Sequence, residues 1–152
     1  NSQLEIIGTG DYEPYLKKLA LKLGIEDKIK FYGYVPDDEK KRLLMDVDVV
    51  VNTSQKEGWG ITNIEANACG TPVISADVPG LRDSVKNYQS GLLYEFGNIE
   101  DLKNKLIQQL TDPQLNAQLQ KGAIEWARSF DWEISARQML QYCQDVIDNF
   151  KK

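Results

Sequence analysis

Two short and mostly apolar runs, Val47–Val51 and Val73–Ser75, constrain the fold of this chain more than any other feature. The first run is β-branched except at Asp48, and such a run is typical of a strand that protein covers on both faces. Further strand candidates alternate with helical patterns along the chain, at Leu4–Ile7, Ile29–Tyr32 and Gly91–Tyr94. This alternation predicts an α/β fold with a parallel sheet, right-handed crossovers and helices on both faces.

Residues that favour helix ends mark where several of the predicted helices begin and stop. Gly24 follows a helical pattern of leucines and is a suitable C-terminal stop. Asp37 is a plausible N-cap for a short helix over about 38–45, and Asp131 for the last helix of the chain.

Length, composition and charge limit the class of protein. The chain has 152 residues, of which 41% are apolar and 27% charged, and these values are typical of one globular domain with a real core. No apolar run approaches the roughly 20 residues that span a bilayer. The net charge of -5, with acids and bases interspersed, argues against a nucleic-acid face or a polybasic membrane patch. Because an apolar run starts almost at once and no methionine precedes it, we expect an N-terminally truncated piece of a larger protein.

The residue types present also limit the chemistry. The chain contains no histidine, which removes the commonest general base, the commonest metal ligand and any nucleophile activated by histidine. Cys69 and Cys143 lie far apart among small or apolar neighbours, so we expect buried thiols in a reducing compartment. Any reaction must therefore use carboxylates, amines, backbone dipoles or another domain.

The stretch from Glu57 to Glu65 is the candidate site. Gly58 and Gly60 allow the backbone to turn tightly and to approach a ligand closely. If a helix begins near Ile61, its first N–H groups favour an anion at the same place. Ligands of parallel sheets bind beyond the carboxyl ends of the strands, where this stretch lies if it follows the strand at 47–51. The sequence therefore predicts a phosphate-facing loop with an acid on each side.

The same stretch carries a resemblance to a known family. The sequence EGWGITNIEANACGTPVISAD at 57–77, with Gly80 and the Gly-Leu-Leu at 91–93, resembles the donor-binding half of retaining GT-B glycosyltransferases of the large family 4 group. Segments 4–35 and 130–140 match the same half, so the resemblance covers nearly the whole chain. It implies a Rossmann-like α/β domain over 1–152, a single half of a GT-B fold that binds a nucleotide sugar.

The resemblance also implies roles for individual residues. Glu57 and Glu65 match the E-x7-E pair of the family, in which the first acid meets the donor sugar near the reacting carbon and the second accepts hydrogen bonds from the ribose. A carboxylate suits this task because its two oxygens match two vicinal hydroxyl groups. The backbone at Tyr34 and Val35 would contact the nucleobase. Backbone N–H groups of the central loop would meet the sugar and the diphosphate, at Gly58, Trp59, Gly60, Ile61 and Thr62.

The full-length protein is accordingly expected to transfer a sugar from a nucleotide sugar to an acceptor with retention, in glycan or polysaccharide synthesis in the cytoplasm. No metal and no other cofactor is expected, and no nucleic-acid partner. In the family, an upstream Arg and Lys neutralise the diphosphate, and a preceding domain holds the acceptor and makes any contact with the inner membrane face. Because this chain lacks those parts, we expect weak donor binding at most and no catalysis by the fragment alone.

Other interpretations remain open at this point. Thr62 and Glu65 fit a capping box, in which Glu65 would bind the start of its own helix. Glu57 could be a solvated loop acid, and we favour a packing role for the side chain of Trp59. The Asp46-x-Asp48 pair precedes its strand and is rejected as a metal site. The chain could also be a nucleotide-binding or protein-interaction domain without catalysis, or half of a sugar-nucleotide epimerase of the same plan.

Overall fold

The computed structural model describes residues 2–150, which divide into one compact unit up to Leu43 and a second from Leu44 onward. The first unit contains two parallel strands, a helix between them and the start of a second helix. In chain order these elements are β1 (Leu4–Ile7), α1 (Glu13–Leu23), a short 3-10 turn (Glu26–Lys28), β2 (Ile29–Gly33) and α2 (Asp37–Asp46), the last of which crosses into the second unit.

The second unit contains a parallel sheet of three strands in the order β3-β4-β5. Helices connect the strands and then complete the chain. The elements are β3 (Val50–Asn52), α3 (Ile61–Ala68), β4 (Val73–Ala76), α4 (Leu81–Ser84), β5 (Gly91–Tyr94), α5 (Ile99–Thr111), α6 (Pro113–Ala127) and α7 (Trp132–Phe150). The predicted α/β fold with parallel strands is therefore confirmed.

Helices cover both faces of the three-stranded sheet, because successive side chains of its strands point to opposite faces and apolar residues lie on each face. Ile74 and Leu92 are fully buried on one face, where they form a cluster with Leu119 of α6 and further leucines of α5 and α6. Their strand neighbours point to the opposite face. On that face Val73 packs in a second cluster with Ala66 of α3. The two clusters make β4, between β3 and β5, the most deeply buried strand of this sheet.

Two of the predicted caps are confirmed and one is wrong. Gly24 ends α1 in the left-handed conformation at φ 64°, and the carboxylate of Asp131 accepts hydrogen bonds from the first N–H groups of α7. Asp37, predicted as an N-cap, is instead the first residue of α2, and the Pro36 carbonyl accepts the hydrogen bond of Lys40 N–H. In that first turn an acid still interacts favourably with the helix dipole.

Two further predictions need correction. The strand predicted over 47–51 begins only at Val50, because pairing with β4 starts where Val50 lies opposite Val73. Cys143, predicted as a buried thiol, is exposed on α7, whereas Cys69 is partly buried. Within residues 2–150 no helix is long and apolar enough to cross a membrane, and no group of three acidic, histidine or cysteine side chains could hold a metal ion.

Replacement of Gly91 by alanine should destabilise the sheet strongly. Gly91 starts β5 opposite Val73, and a Cβ at this position would overlap the Val73 carbonyl group. Overpacking of this kind typically costs about 1–3 kcal/mol. We expect a loss of that size in the free energy of unfolding, measured by urea denaturation. Gly10→Ala is the control, since no described atom beyond its chain neighbours lies within 4 Å of the added carbon. An equal effect of the two substitutions would contradict this explanation.

Tyr94 should make the stability of the protein decline at alkaline pH. Burial raises the pKa of the Tyr94 hydroxyl group, because the ionised form is poorly solvated in the core. The folded chain then keeps a proton that the unfolded chain loses near pH 10, about the pKa of a free tyrosine. The contribution of Tyr94 to the free energy of unfolding is therefore complete below about pH 10 and is lost as the pH rises above that value.

Urea unfolding of the wild type and of Tyr94→Phe between pH 7 and 11 tests this expectation. The Tyr94→Phe protein should lose less stability above pH 10 than the wild type. Tyr142→Phe is the control, because Tyr142 is exposed on α7. Parallel stability curves for the wild type and Tyr94→Phe would show that Tyr94 does not cause the decline.

Candidate functional site

The predicted loop lies at the carboxyl end of β3, at the edge of the sheet where ligands of parallel sheets bind. β3 ends at Asn52 and α3 begins at Ile61, with Gly60 as its N-cap residue. Ile61 and Thr62 thus form the start of the helix, as predicted. The first N–H groups of a helix have no partner within it, so this end of α3 favours negative charge.

Gly60 is required by the packing of the protein itself. Its backbone is left-handed at φ 81°, and an added Cβ would lie 2.8 Å from Leu81 Cδ2 and from Ser84 Oγ. Gly58 differs, because no described atom beyond its chain neighbours lies within 4 Å of the position of its Cβ. The tight turn predicted for both glycines is therefore imposed by the fold only at Gly60. Close approach of a ligand to Gly58 stays a prediction.

Gly80 fixes the path of the loop from the other side. This glycine precedes α4, has φ 87°, and has a Glu57 carbonyl group so close that a Cβ would overlap it. The carbonyl oxygen of Gly58 would lie 3.0 Å from the same Cβ. From the sequence, this glycine was identified only as part of the family resemblance. Gly80 fixes the loop through its contact with the backbone of residues 57–58, and these residues meet only in the folded chain.

The carboxylate of Glu57 is exposed and is held by its neighbour Ser54. Ser54 Oγ donates a hydrogen bond of 3.1 Å to Glu57 Oε1. Glu57 also lines an open depression on the surface, together with Gln55, Lys56 and Pro79. An exposed acid beside a depression agrees with the predicted contact to a donor sugar and equally with a solvated loop acid.

The capping box considered for Glu65 is wrong. Such a box requires Thr62 as the N-cap residue, but Thr62 lies inside the first turn and Gly60 is the N-cap. Thr62 Oγ1 instead accepts a hydrogen bond of 3.3 Å from Asn52 Nδ2. Glu65 is half-buried in the following turn of α3. Its binding of a ribose stays a prediction.

The side chain of Trp59 packs in an aromatic cluster, as expected for a packing role. Its ring meets the ring of Phe130 edge to face, with centroids 4.7 Å apart, and Phe130 meets Trp126 in the same way at 4.6 Å. Trp126 Nε1 then donates a hydrogen bond of 2.9 Å to the Ser84 carbonyl oxygen. Since Phe130 lies between the end of α6 at Ala127 and the start of α7 at Trp132, the cluster connects the loop to the junction of α6 and α7.

A network of buried polar side chains, which was not predicted from the sequence, joins the start of α3 to β3, β4 and α4. Asn63 is fully buried on α3 and donates hydrogen bonds to Ser75 Oγ at 3.2 Å and Ser84 Oγ at 2.9 Å. Its Oδ1 accepts a hydrogen bond of 3.1 Å from Asn52 Nδ2. An asparagine in the middle of a short helix that precedes a buried strand with a serine was the available signal.

The two residues predicted to contact a nucleobase belong to the first unit. Tyr34 and Val35 follow β2 directly, after Gly33 at φ 67°. The side chain of Tyr34 is exposed and that of Val35 is buried. The remaining predicted residues, from Glu57 to Glu65, are together in the second unit.

Arg82 is held by an acid on the turn that carries Gly80. It bonds the carboxylate of Asp77 and donates a second hydrogen bond of 3.3 Å to the Asp77 carbonyl oxygen. The first of these bonds raises the pKa of Arg82. This exposed pair spans the turn between β4 and α4.

Comparison with known proteins decides the family. The model of the family described as glycosyl transferases group 1 matches residues 1–126. This chain belongs to that glycosyltransferase family. The resemblance predicted from the sequence is thus confirmed.

Curated relatives of this glycosyltransferase chain are much longer than the chain. It is 38% identical over 146 residues to the D-inositol 3-phosphate glycosyltransferase of Streptomyces bingchenggensis, covering 95% of this chain and 32% of that protein. It is 36% identical over 135 residues to the enzyme of the same name from Frankia alni, covering 88% of this chain and 33% of that protein. The chain thus spans about a third of the length of these relatives.

Solved glycosyltransferase structures share the fold. The Anabaena protein Alr3699/HepE in complex with UDP matches with a TM-score of 0.83 and 26% identity, covering 95% of this chain and 41% of that one. The same protein in complex with UDP-glucose matches with a TM-score of 0.82 and 27% identity, covering 94% and 41%. Sucrose-phosphate synthase from Thermosynechococcus elongatus matches with a TM-score of 0.83 and 28% identity, covering 97% and 39%.

Substitution of Gly80 should move the loop of this glycosyltransferase, whereas substitution of Gly58 should not. Gly80→Ala brings a Cβ into the Glu57 carbonyl group and places alanine in the left-handed region. Together these should lower the free energy of unfolding by about 2 kcal/mol or more. The amide resonances of 57–60 should shift in NMR spectra. Gly58→Ala should change stability by less than about 0.5 kcal/mol. A Gly80→Ala protein that is as stable as Gly58→Ala and leaves these resonances unshifted would show that Gly80 does not fix the loop.

Proposed function

We propose that this chain forms the nucleotide-sugar-binding part of a retaining glycosyltransferase. The observation that supports the proposal is the loop between β3 and α3 in a member of this family, which has Glu57 before the N-terminus of α3 and Glu65 in the second turn of the helix. Similar structures were solved with UDP and UDP-glucose bound, which supports a nucleotide sugar as the ligand class.

The start of α3 would receive the diphosphate. Helix α3 runs for eight residues, and the N–H groups of its first turn point toward the loop end of the helix. The N–H of Asn63 is taken by the Gly60 carbonyl oxygen at 3.0 Å, so the N–H groups of Ile61 and Thr62 are the ones we assign to the phosphates. Loop amides at Gly58, Trp59 and Gly60 would extend this anion site toward the sugar.

Glu57 would bind the sugar near the reacting carbon. An ionised carboxylate has about four acceptor positions, and Ser54 occupies one of them on Oε1. The others can accept hydrogen bonds from two sugar hydroxyl groups, and such charge-assisted bonds are the stronger kind. Glu57 would thus orient the donor rather than form a covalent bond to it.

Glu65 and the backbone at Tyr34 and Val35 are the residues we assign to the other parts of the donor. Glu65 would accept hydrogen bonds from the two ribose hydroxyl groups. Its side chain can extend toward the start of α3, since side chains on a helix lean toward its N-terminus. The backbone at Tyr34 and Val35 would contact the base. No metal ion or additional cofactor takes part in this proposal, and the nucleotide sugar is a substrate.

The acceptor would be bound outside this chain, because the chain spans about a third of its curated relatives. The leaving group is a nucleoside diphosphate, whose developing charge needs positive groups for stabilisation. We place those cations and the acceptor domain in the rest of the full-length protein, which would act in the cytoplasm. The isolated chain would then bind donor without sustained transfer.

Titration with UDP and with 2′-deoxy-UDP tests the assignment of Glu65. The wild type should bind UDP more tightly than the deoxy analogue, because the analogue lacks one of the hydroxyl groups that would donate a hydrogen bond to Glu65. Glu65→Ala should lower UDP affinity about tenfold, the effect of losing a hydrogen bond to a charged group, and should bind both ligands equally. Isothermal calorimetry measures each affinity.

Glu125→Ala, which removes an exposed acid from α6, is the matched control and should leave UDP binding unchanged. ADP and GDP are titrated in parallel, since the base is not fixed by backbone contacts. Absence of binding by every nucleoside diphosphate, or equal binding after Glu65→Ala, would favour a domain that acts through protein interaction.

A further inference from the structure

An unbroken series of hydrogen bonds runs from the core of the second unit to the carboxylate of Glu57. It starts at Asn63, whose Nδ2 group donates to two buried serines and whose Oδ1 accepts from Asn52 Nδ2 at 3.1 Å. Asn52 Oδ1 accepts the backbone N–H of Ser54 at 3.2 Å. Ser54 Oγ donates to Glu57 Oε1 at 3.1 Å. Three hydrogen bonds, with Asn52 and Ser54 as the two intermediate residues, therefore join a buried amide to an exposed acid.

The inner end of the series is rigid. Asn63, Ser75 and Ser84 each have a relative exposure of 0%. Both donor hydrogens of Asn63 and its oxygen have partners, and Ser84 Oγ donates onward to the Leu81 carbonyl oxygen at 2.9 Å. Buried polar groups with all partners present hold a single arrangement, because any other leaves a group unsatisfied.

The direction of the Asn52 amide group follows from that arrangement. Asn63 Oδ1 can only accept, so the nitrogen of Asn52 must face Asn63, and the oxygen of Asn52 must face Ser54. The resulting turn from an asparagine to the N–H two residues later fixes the backbone at Ser54. The Ser54 hydroxyl group is thereby brought to the Glu57 carboxylate.

We infer that Ser54 and Asn63 are positioning residues that orient the carboxylate of Glu57 toward the donor sugar, an inference that rests on the function proposed above. Ser54 acts by direct contact, and Asn63 acts at a distance through Asn52. An exposed glutamate otherwise samples several rotamers and loses that freedom on binding. A carboxylate held at Oε1 keeps Oε2 free to meet sugar hydroxyl groups in one orientation.

The first test compares binding of UDP-glucose and UDP by calorimetry. Ser54→Ala should lower the affinity for UDP-glucose about fivefold to tenfold, as expected for loss of one hydrogen bond, and should leave the affinity for UDP unchanged. Ser54→Thr keeps the hydroxyl group and should restore most of the affinity. Thr53→Ala, at the adjacent exposed hydroxyl residue, is the matched control and should behave as the wild type. An equal loss for both ligands would overturn the inference.

A double-mutant cycle separates action through Glu57 from any other effect of the serine. If Ser54 acts by holding Glu57, Ser54→Ala should cause no further loss of UDP-glucose affinity in a Glu57→Ala protein. Additive losses in the double mutant would show that Ser54 works by another route, and the inference would be wrong.

The distant end of the series is tested by two asparagines on the same helix. Asn67 is as fully buried as Asn63, and its Nδ2 group donates to the carbonyl oxygens of Thr71 at 3.0 Å and Ser90 at 3.1 Å. Asn63→Ala and Asn67→Ala should both destabilise the fold, but only Asn63→Ala should release Glu57. NMR relaxation at the Glu57 Cγ, without ligand, should report greater side-chain motion in Asn63→Ala and Ser54→Ala alone.

The two kinds of measurement distinguish failure of this inference from failure of the proposed function. If the unsubstituted chain binds neither UDP-glucose nor any of UDP, ADP and GDP, the donor site proposed here is wrong, and the orientation of Glu57 toward a sugar is overturned with it. If the chain binds both ligands but Ser54→Ala leaves their ratio and the motion of Glu57 unchanged, only the inference fails. Ser54 is only half-buried, so its variants decide the matter even if Asn63→Ala does not fold.

Discussion

The arrangement of the candidate site depends on the hydrogen bonds of the buried Asn63 amide group. Through this one side chain, α3 is bonded to the end of β3, to β4 and to α4. A buried polar group without partners would be costly, and here both donor hydrogens and the oxygen of the amide have partners. The start of α3, where we place the phosphates, therefore has a fixed position relative to the sheet before any ligand arrives.

The path of the loop follows from close packing around that anchor. Leu81 and Ser84 occupy the space beside Gly60, and the backbone of Glu57 occupies the space beside Gly80. Both glycines have positive φ angles, so neither position accepts a side chain without strain. The carboxylate of Glu57 then extends from a backbone that is fixed on two sides.

Local patterns predicted those parts of the fold that depend on local energetics. The strand at Gly91–Tyr94, the stop at Gly24 and the cap at Asp131 each follow from the residue and its immediate neighbours. The start of β3 could not be predicted in this way, because it depends on pairing with the neighbouring strand β4, which begins at Val73 opposite Val50. The same holds for the network around Asn63, whose partners are distant in sequence and meet only in the folded chain.

The contact between Gly80 and Glu57 also limits how this part of the molecule can evolve. An insertion or deletion between Asn52 and Gly60 would pull the loop backbone out of its contacts at Gly60 and Gly80, so the packing fixes the length of the loop. Its exposed positions at Thr53, Gln55 and Lys56 are not under that constraint. Side chains at these three positions can therefore be exchanged while the backbone of the loop keeps its path.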